Sequence, residues 1–402
     1  MERFQKYLDR RKLELESEFK SSRAMYESAS DTLIGYFHVS GADRLRGGDY
    51  TRWNARLLFL VADLTLYIVV NCWCLTVFWG QLMDVVFCLV TMGIAIQGFA
   101  KIASSTDDRL YELHIYNVER FDKVRDYSEA RESLQRTAVL SKVFLKLFSY
   151  LFLMLTTFIP VYTVAYSISS RSLQLPFGFF FPWIDHKQLF GYLINLSYHF
   201  LQIYEASYGL LATDGCFLFL ILHAVGQLDI IIIYLKKLDE LALQYEKFKD
   251  DEEIYRLLNE ITEKHQEHME YMSKMDSLMK PGFFVNFGCM IVETVASLYV
   301  QATISGIWYP GLIVVLLCIV QLFIACALGT IYSTKNDQLI DEIYNISWYA
   351  LPIPVQKSLA LILNSSQHPV VLSDGFDSID LFAFVQIYKK IYSYFTMLQS
   401  FN

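Results

Sequence analysis

Residues 196–235 read LSYHFLQIYEASYGLLATDGCFLFLILHAVGQLDIIIIYL, and this apolar block decides the fold. A helix that crosses a bilayer needs only about 20 such residues. At about 1.5 Å of rise per residue, the block would extend for roughly 60 Å, twice the ~30 Å thickness of a hydrocarbon core. The sequence therefore predicts a membrane-spanning helix with one end that projects from the membrane.

The rest of the chain has the same apolar character. Hydrophobic residues make up 54% of the 402 residues and charged residues 19%, below the roughly 25% that is usual for soluble domains. We predict an all-α membrane protein with seven transmembrane helices, namely Leu57–Trp79, Leu82–Ala100, Val143–Ile168, Leu196–Leu235, Phe283–Ile304, Leu312–Ile331 and Ile379–Phe401. The net charge of −8 argues against a nucleic-acid partner.

The distribution of Lys and Arg predicts the orientation. The segment before Leu57 carries eleven basic residues, and the stretches 101–142 and 236–280 carry eight each. The alternate loops are nearly free of them. Because basic residues accumulate on the cytoplasmic side, we expect a cytoplasmic N-terminus and an extracellular C-terminus. G-protein-coupled receptors have the reverse topology, which argues against that class.

This topology divides the chain into six regions. They are a cytoplasmic N-terminal segment (1–56), transmembrane helices 1–4 with an outer-half ligand pocket (57–235), cytoplasmic anchor helices (236–282), transmembrane helices 5–6 (283–331), a cytoplasmic anchor segment (332–378) and a pore-lining transmembrane helix 7 (379–402). Apolar residues recur every three or four positions in 236–280, which predicts an amphipathic helical pair broken near Asp250-Asp251. Pro352 and Pro354 should interrupt the later anchor segment.

Ionisable residues inside apolar blocks are candidates for chemistry. They could contact a ligand or an ion path, or form hydrogen bonds between helices: Asp63, Asp214, Asp229 and Glu293. His265 and His268 could share a metal, but the charged residues around them favour a solvated helix face. The chain contains no phosphate-binding glycine loop and no hydrolase motif. We therefore expect no enzyme, no catalytic residue, no metal site and no cofactor.

The last apolar segment, IDLFAFVQIYKKIYSYFTMLQSFN, carries a polar stripe. The stripe follows three- and four-residue steps through Gln386, Lys389, Lys390, Ser393, Thr396, Met397 and Ser400. Such a stripe is costly against lipid but can line a water-filled path. One helix cannot enclose a pore, so this reading implies an oligomer with the helix on its axis. In the alternative reading, the stripe packs against other helices of its own chain.

The outer halves of the middle spans combine apolar and aromatic groups with a few hydroxyls, which suits a small, weakly polar ligand. The predicted ligand-binding residues are Phe87, Met154, Thr157, Phe158, Tyr204, Ser207, Tyr208 and Leu211. Ordinary helix packing is the alternative for each of them. The aromatic loop Gly178–Trp183 is predicted to form a lid over the pocket or an interfacial anchor. Asn195 lies in an Asn-X-Ser glycosylation pattern near a membrane boundary, which leaves its use open.

Three motifs resemble those of insect odorant receptors. They are the tail Tyr392–Gln399 (YSYFTMLQ), the loop Phe181-Pro182-Trp183, and the pattern Ala212-Thr-Asp214 … Leu222-His223 … Gln227-Leu228 in the fourth span. The resemblance extends from about Leu57 to the C-terminus in span number and loop proportions.

The resemblance implies a subunit of a ligand-gated, non-selective cation channel that forms a heterotetramer with a co-receptor. Its location would be the plasma membrane of olfactory neuron dendrites, in contact with lipid. By motif position, Met397, Ser400 and Phe401 correspond to the gate, where polar Ser400 departs from the family's aliphatic ring. We therefore expect a tight gate to depend on the co-receptor.

The expected function is that of an odorant receptor for a small volatile, aromatic or weakly polar. A G-protein-coupled or gustatory-type chemoreceptor is the alternative. A carrier would show paired broken helices in related halves, and none is evident in the sequence.

Overall fold

The computed structural model describes residues 6–7, 9–10, 22–47, 54–123, 128–248 and 251–400. Within these residues the secondary structure is helical, and the β-structure amounts to an isolated bridge between Ser373 and Ser378. We number the bounded α-helices in chain order. They are α1 Ser22–Ser40, α2 Ala55–Val77, α3 Leu82–Ser105, α4 Asp108–Lys123, α5 Ser128–Ser170, α6 Leu189–Phe248, α7 Asp251–Thr303, α8 Tyr309–Asn345, α9 Ile353–Ser366 and α10 Leu381–Gln399.

Six of the described helices, α2, α3, α5, α6, α7 and α8, are long and apolar enough to cross a membrane. Each overlaps one of the first six predicted spans, within two residues at the ends that fall short. Helix α10 overlaps the seventh, but it falls outside this group because Gln386, Lys389 and Lys390 lower its hydropathy. The chain is thus an all-helical protein with several membrane-spanning helices, as the sequence predicts.

Helix α6 is the centre of the bundle. Its 60 residues correspond to a length of about 90 Å, and it packs against α1, α5, α7 and α8. A helix that is apolar on every side is stable only when neighbours surround it, and the middle of α6 is indeed buried throughout. The predicted overlong span is therefore confirmed, with its end extended to Phe248.

The polar ends of the long helices form a second packed region with α4 and α9. Helix α6 is described as far as Phe248 and α7 from Asp251, so the predicted break near Asp250-Asp251 falls largely outside the described residues. Helix α8 ends at Asn345 and α9 begins at Ile353, which is the interruption expected from the two prolines.

The predicted solvated face at His265 and His268 is wrong, because both imidazoles are buried. His265 Nε2 lies 2.9 Å from the Ser366 hydroxyl. His268 Nδ1 lies 2.8 Å from Gln227 Oε1, and its Nε2 lies 3.2 Å from the Tyr332 hydroxyl. The neighbouring charges point outward from α7, while the histidines face α6, α8 and α9. No group of three metal-ligating side chains occurs in the part of the chain that the structure describes.

Candidate functional site

An elongated cavity of about 140 Å³ lies inside the helical bundle, between α2, α3, α5, α6, α7 and α8. An apolar cavity of roughly 150 Å³ is sufficient to hold a benzene-sized molecule. On α3 the cavity extends from Ile94 to Ser105, and on α6 from Gln202 to Thr213. Eleven residues of helical rise correspond to a length of about 16 Å. The cavity is therefore long enough for a small organic molecule.

Most of the cavity wall is apolar or aromatic. Leu64 of α2, Ile94 of α3, Leu210 of α6 and Leu317 of α8 face it from four directions. The missing side chain of Gly98 helps to bring two of these helices together, since a Cβ there would lie 3.3 Å from Leu64. Such a wall favours a ligand that is mainly hydrophobic.

The loop between α5 and α6 closes one end of the cavity with Phe177 and Phe179. Phe179 stacks on His199 with a centroid distance of 3.9 Å, and His199 Nε2 lies 3.0 Å from the Phe179 carbonyl oxygen. The Phe181 N–H donates to Asn195 Oδ1 at 2.8 Å, which fixes the loop to the first turns of α6. The predicted aromatic lid is therefore present in part, while Trp183 is 93% exposed.

The opposite part of the cavity is polar. Lys101 Nζ donates to both carboxylate oxygens of Asp214, at 2.7 and 2.9 Å, and Gln321 Nε2 donates to the same carboxylate. Gln97 Nε2 donates to Glu293 Oε1 at 2.8 Å. These contacts join α3 to α6, α7 and α8 inside the apolar bundle.

The other two acidic residues of the apolar blocks also have partners. Asp63 accepts a hydrogen bond from Gln202 of α6, and Asp229 forms an ion pair with Lys335 at 2.6 Å. All four carboxyls predicted from the sequence thus join different helices. Glu293 is itself a cavity residue, so for this position the helix–helix contact and the cavity-lining role coincide.

The predicted ligand-binding residues fall into three groups. Ser207 lines the cavity. Tyr204 and Tyr208 line a neighbouring depression beside α2, which shares Ser40, Leu60 and Glu205 with the cavity; their rings lie 4.5 Å apart. The others lie outside the cavity lining: Phe87 packs edge-on against Trp308 at 4.5 Å, Leu211 is buried elsewhere, and Met154, Thr157 and Phe158 are on the exposed face of α5.

Helix α5 meets the cavity with a different face from the one predicted. Phe152, Thr156 and Ile159 line it, whereas Met154 is 62% exposed. Both faces of α5 are apolar, because one packs in the bundle and the other faces lipid. Hydrophobic periodicity therefore could not distinguish them, although the series Phe152, Thr156, Ile159, Thr163 follows the spacing of a single helical face.

Helix α10 packs on α7 and α8 through the face that contains Ile387 and Ile391, its two buried residues. The predicted pore residues lie on another face: Gln386 is half-buried, and Ser393, Met397 and Ser400 are exposed. The hydroxyl groups of Ser393 and Ser400 donate to carbonyl oxygens of their own helix. The polar stripe is thus left uncovered by the described part of the chain. Phe401 lies outside the described residues.

The fold defines a multi-span helical membrane protein with a cavity inside its helical bundle. Residues 82–392 match the 7tm odorant receptor family, and the chain belongs to that family. Its members are receptors rather than enzymes, in agreement with the expectation from the sequence.

Known proteins share the sequence in part and the fold almost throughout. A Drosophila melanogaster relative, putative odorant receptor 83c, is 27% identical over 146 residues, which is 36% of this chain and 36% of the relative. The structure of olfactory receptor OR5 from the insect Machilis hrabei in complex with eugenol superposes with a TM-score of 0.76 at 16% identity, covering 94% of this chain and 98% of OR5. A second structure of Machilis hrabei OR5 superposes with the same TM-score at 14% identity, covering 94% of this chain and 100% of OR5.

Proposed function

We propose that this protein is an odorant receptor subunit that binds a small volatile in the internal cavity and gates a non-selective cation channel formed with a co-receptor. The proposed location is the plasma membrane of olfactory neuron dendrites. One observation carries the proposal: the polar stripe of α10 faces away from its own chain, while the cavity lies on the other side of α8.

The cavity supports the ligand part of the proposal. Its volume of about 140 Å³ and largely apolar wall suit a small volatile molecule. The OR5 complex contains eugenol, a ligand of comparable character, within the same fold. Ser207, which the sequence analysis also selected, would contact such a ligand together with Phe152, Thr156 and Ile159, because all four line the cavity.

The stripe supports the channel part. The polar side chains of Gln386, Ser393 and Ser400 would be unfavourable against lipid tails, yet neighbouring helices of the described chain cover Gln386 only in part and leave the two serines exposed. Equivalent helices of further subunits would enclose a path between these faces. Helix α10 then supplies the seventh crossing, with the N-terminus in the cytoplasm and the C-terminus outside, as the distribution of basic residues favours.

A second exposed surface supports assembly. Tyr344, Trp348, Tyr349, Ile353 and Leu361 are large apolar residues, and all are exposed at the end of α8, in the following 3₁₀ turn and on α9. Exposed apolar groups gathered in one region mark protein interfaces. In the proposed topology this region is the cytoplasmic anchor, where it would contact the other subunits of a heterotetramer.

Helix α8 provides a direct mechanical link between cavity and pore. Val314, Leu317 and Gln321 line the cavity. Further along α8, the Thr330 hydroxyl oxygen accepts the backbone N–H of Leu381, the first residue of α10, at 2.9 Å. A ligand that binds better to one position of α8 would shift the population of α10 positions by its difference in affinity.

Expression with and without an odorant receptor co-receptor tests the proposal. We expect odorant-evoked cation currents with the co-receptor and much smaller currents without it, recorded at matched surface expression. The absence of evoked current across a broad odorant panel, with surface expression demonstrated, would refute the channel function.

A further inference from the structure

Four polar side chains are buried together at one end of the cavity, whose wall is mainly apolar but also includes Gln202, Glu205 and Ser207. Gln97 and Lys101 lie one turn apart on α3, Glu293 is on α7 and Gln321 is on α8; we call these four residues the polar floor. Their exposed fractions are 4, 8, 2 and 8%, and all four line the cavity. Gly93 makes room for this arrangement, because a Cβ at that position would collide with Glu293 Oε1.

The polar floor retains hydrogen-bonding capacity that its own contacts do not use. Two N–H groups of Lys101 bind Asp214, and among the described residues the third has no partner. Glu293 Oε1 accepts from Gln97, whereas Oε2 has a weak thiol contact with Cys318 at 3.5 Å. A carboxylate has about four acceptor sites and an ammonium group three donors. Both a donor and an acceptor are therefore available to a molecule in the cavity.

We propose that the polar floor selects ligands that carry one hydroxyl group on a small apolar skeleton, such as an alcohol or a phenol. The proposal rests on the cavity being the odorant site. A hydroxyl can donate to Glu293 and accept from Lys101 at the same time. Hydrogen bonds that involve a charged group are roughly twice as strong as neutral ones.

Other ligand classes match this end of the cavity less well. An ether or a ketone can only accept, so it leaves the Glu293 carboxylate without a donor. A hydrocarbon satisfies neither group. A protonated amine can only donate, and it would lie beside the positive charge of Lys101. A buried polar group that loses its water and gains no partner weakens binding, so these classes should bind less tightly than a hydroxyl compound of equal size.

The test compares ligands of equal length, for example 1-hexanol, methyl pentyl ether, 2-hexanone and hexylamine. Currents are recorded from the full chain with the co-receptor, and thermal stabilisation of the purified protein by each compound is measured in parallel. We expect the alcohol to act at a roughly tenfold or lower concentration than the ether and the ketone in both assays. Equal potency of the alcohol and the ether would overturn the proposal.

A variant tests whether Glu293 is responsible for the preference for alcohols over ethers. Glu293→Gln keeps the shape of the side chain but replaces the carboxylate with a neutral amide that has a single acceptor oxygen, and should lower the alcohol-to-ether ratio. Ser149→Ala is the matched control, since Ser149 is a buried hydroxyl in α5 that lies outside the cavity lining; it should leave the ratio unchanged. If Glu293→Gln does not fold, the wild-type ligand series still decides the question.

The two proposals fail in different ways. Selective stabilisation of the purified protein by alcohols without evoked current would contradict the channel function and leave the ligand selection intact. Evoked currents with no preference for hydroxyl compounds would contradict the ligand selection and leave the channel function intact.

Discussion

Gly329→Ala tests the contact through which α8 holds the start of α10. Gly329 is buried where α8 meets Ile379. A Cβ added at Gly329 would lie much closer to the Ile379 carbonyl oxygen than 3.0 Å, a limit below which Cβ contacts are essentially never found in proteins. The obstacle is backbone, which cannot rotate away as a flexible side chain can. The start of α10 must therefore move by about 1 Å or more away from α8. The hydrogen bond between Thr330 and Leu381 also holds this contact in place.

The size of the effect follows from the cost of overpacking, typically about 1–3 kcal/mol. That range corresponds to a roughly fivefold to 150-fold decrease in the population of the conformation in which the start of α10 contacts α8 at Gly329. Since the cavity lies on another part of α8, we expect ligand affinity to change less than about threefold. The maximal evoked current per surface receptor should fall at least several-fold.

The assay combines whole-cell current, surface biotinylation and ligand-induced thermal stabilisation. Gly288→Ala is the control, because Gly288 lies on the exposed side of α7 with nothing within 4 Å of an added Cβ. It should leave the current unchanged. A Gly329→Ala receptor with wild-type current and wild-type surface level would refute the mechanical role of this contact.

Three further predictions follow from buried polar contacts. Lys101→Met leaves the Asp214 carboxylate without its cation and should destabilise the protein by about 3–5 kcal/mol in thermal unfolding, whereas Lys101→Met combined with Asp214→Asn should recover most of that loss. Burial lowers the pKa of His114 from 6.5 to about 4; the unfolded chain therefore binds the proton more readily between these values, and this contribution to stability is complete above pH 6.5 and falls by about 1.4 kcal/mol per pH unit down to pH 4, a slope that His114→Phe should remove. Asn195 is buried and holds the Phe181 N–H, so glycosidase treatment should not change the mobility of the wild type, whereas Asn195→Ala should lower the Tm through the unpaired amide.

The sequence was sufficient for the architecture. Long apolar blocks directly predict spanning helices, and the length of residues 196–235 alone required a helix that leaves the membrane. The interruption before Pro354 also follows from local chemistry and is present. Helix ends were less well predicted, because α3 continues past Ala100 to Ser105 and so brings Lys101 into the bundle.

The lining of the cavity was harder to predict for a physical reason. In a soluble helix, polar residues mark the outer face, but in a membrane helix both faces are apolar and the lipid-facing side gives no signal. Met154 and Phe152 are therefore equivalent by hydropathy, although only Phe152 lines the cavity. Lys101 was assigned to a loop, since a lone lysine after an apolar block resembles a cytoplasmic flank. Its burial depends on Asp214, which lies more than 100 positions further along the chain.

The stripe on α10 was predictable because it is polar on a helix that is otherwise apolar. Its uncovered position is a tertiary property: Ile387 and Ile391 make the contact with α7 and α8, and the stripe lies on the opposite side of the helix axis. The sequence alone left open whether the stripe packs inside the monomer.

The most direct test of the channel account is the accessibility of α10 to a charged, membrane-impermeant thiol reagent. Cysteine is introduced at Ser393 or Met397 on the stripe, and at Ile387 or Ile391 on the packed face, with reagent-treated wild type as the reference. Thiols react as thiolates and so require contact with water. The account predicts progressive loss of odorant-evoked current at the two stripe positions, faster while the odorant is present, and no loss at the two packed positions. Unchanged current at both stripe positions after complete reagent exposure would contradict a water-filled path along this face of α10.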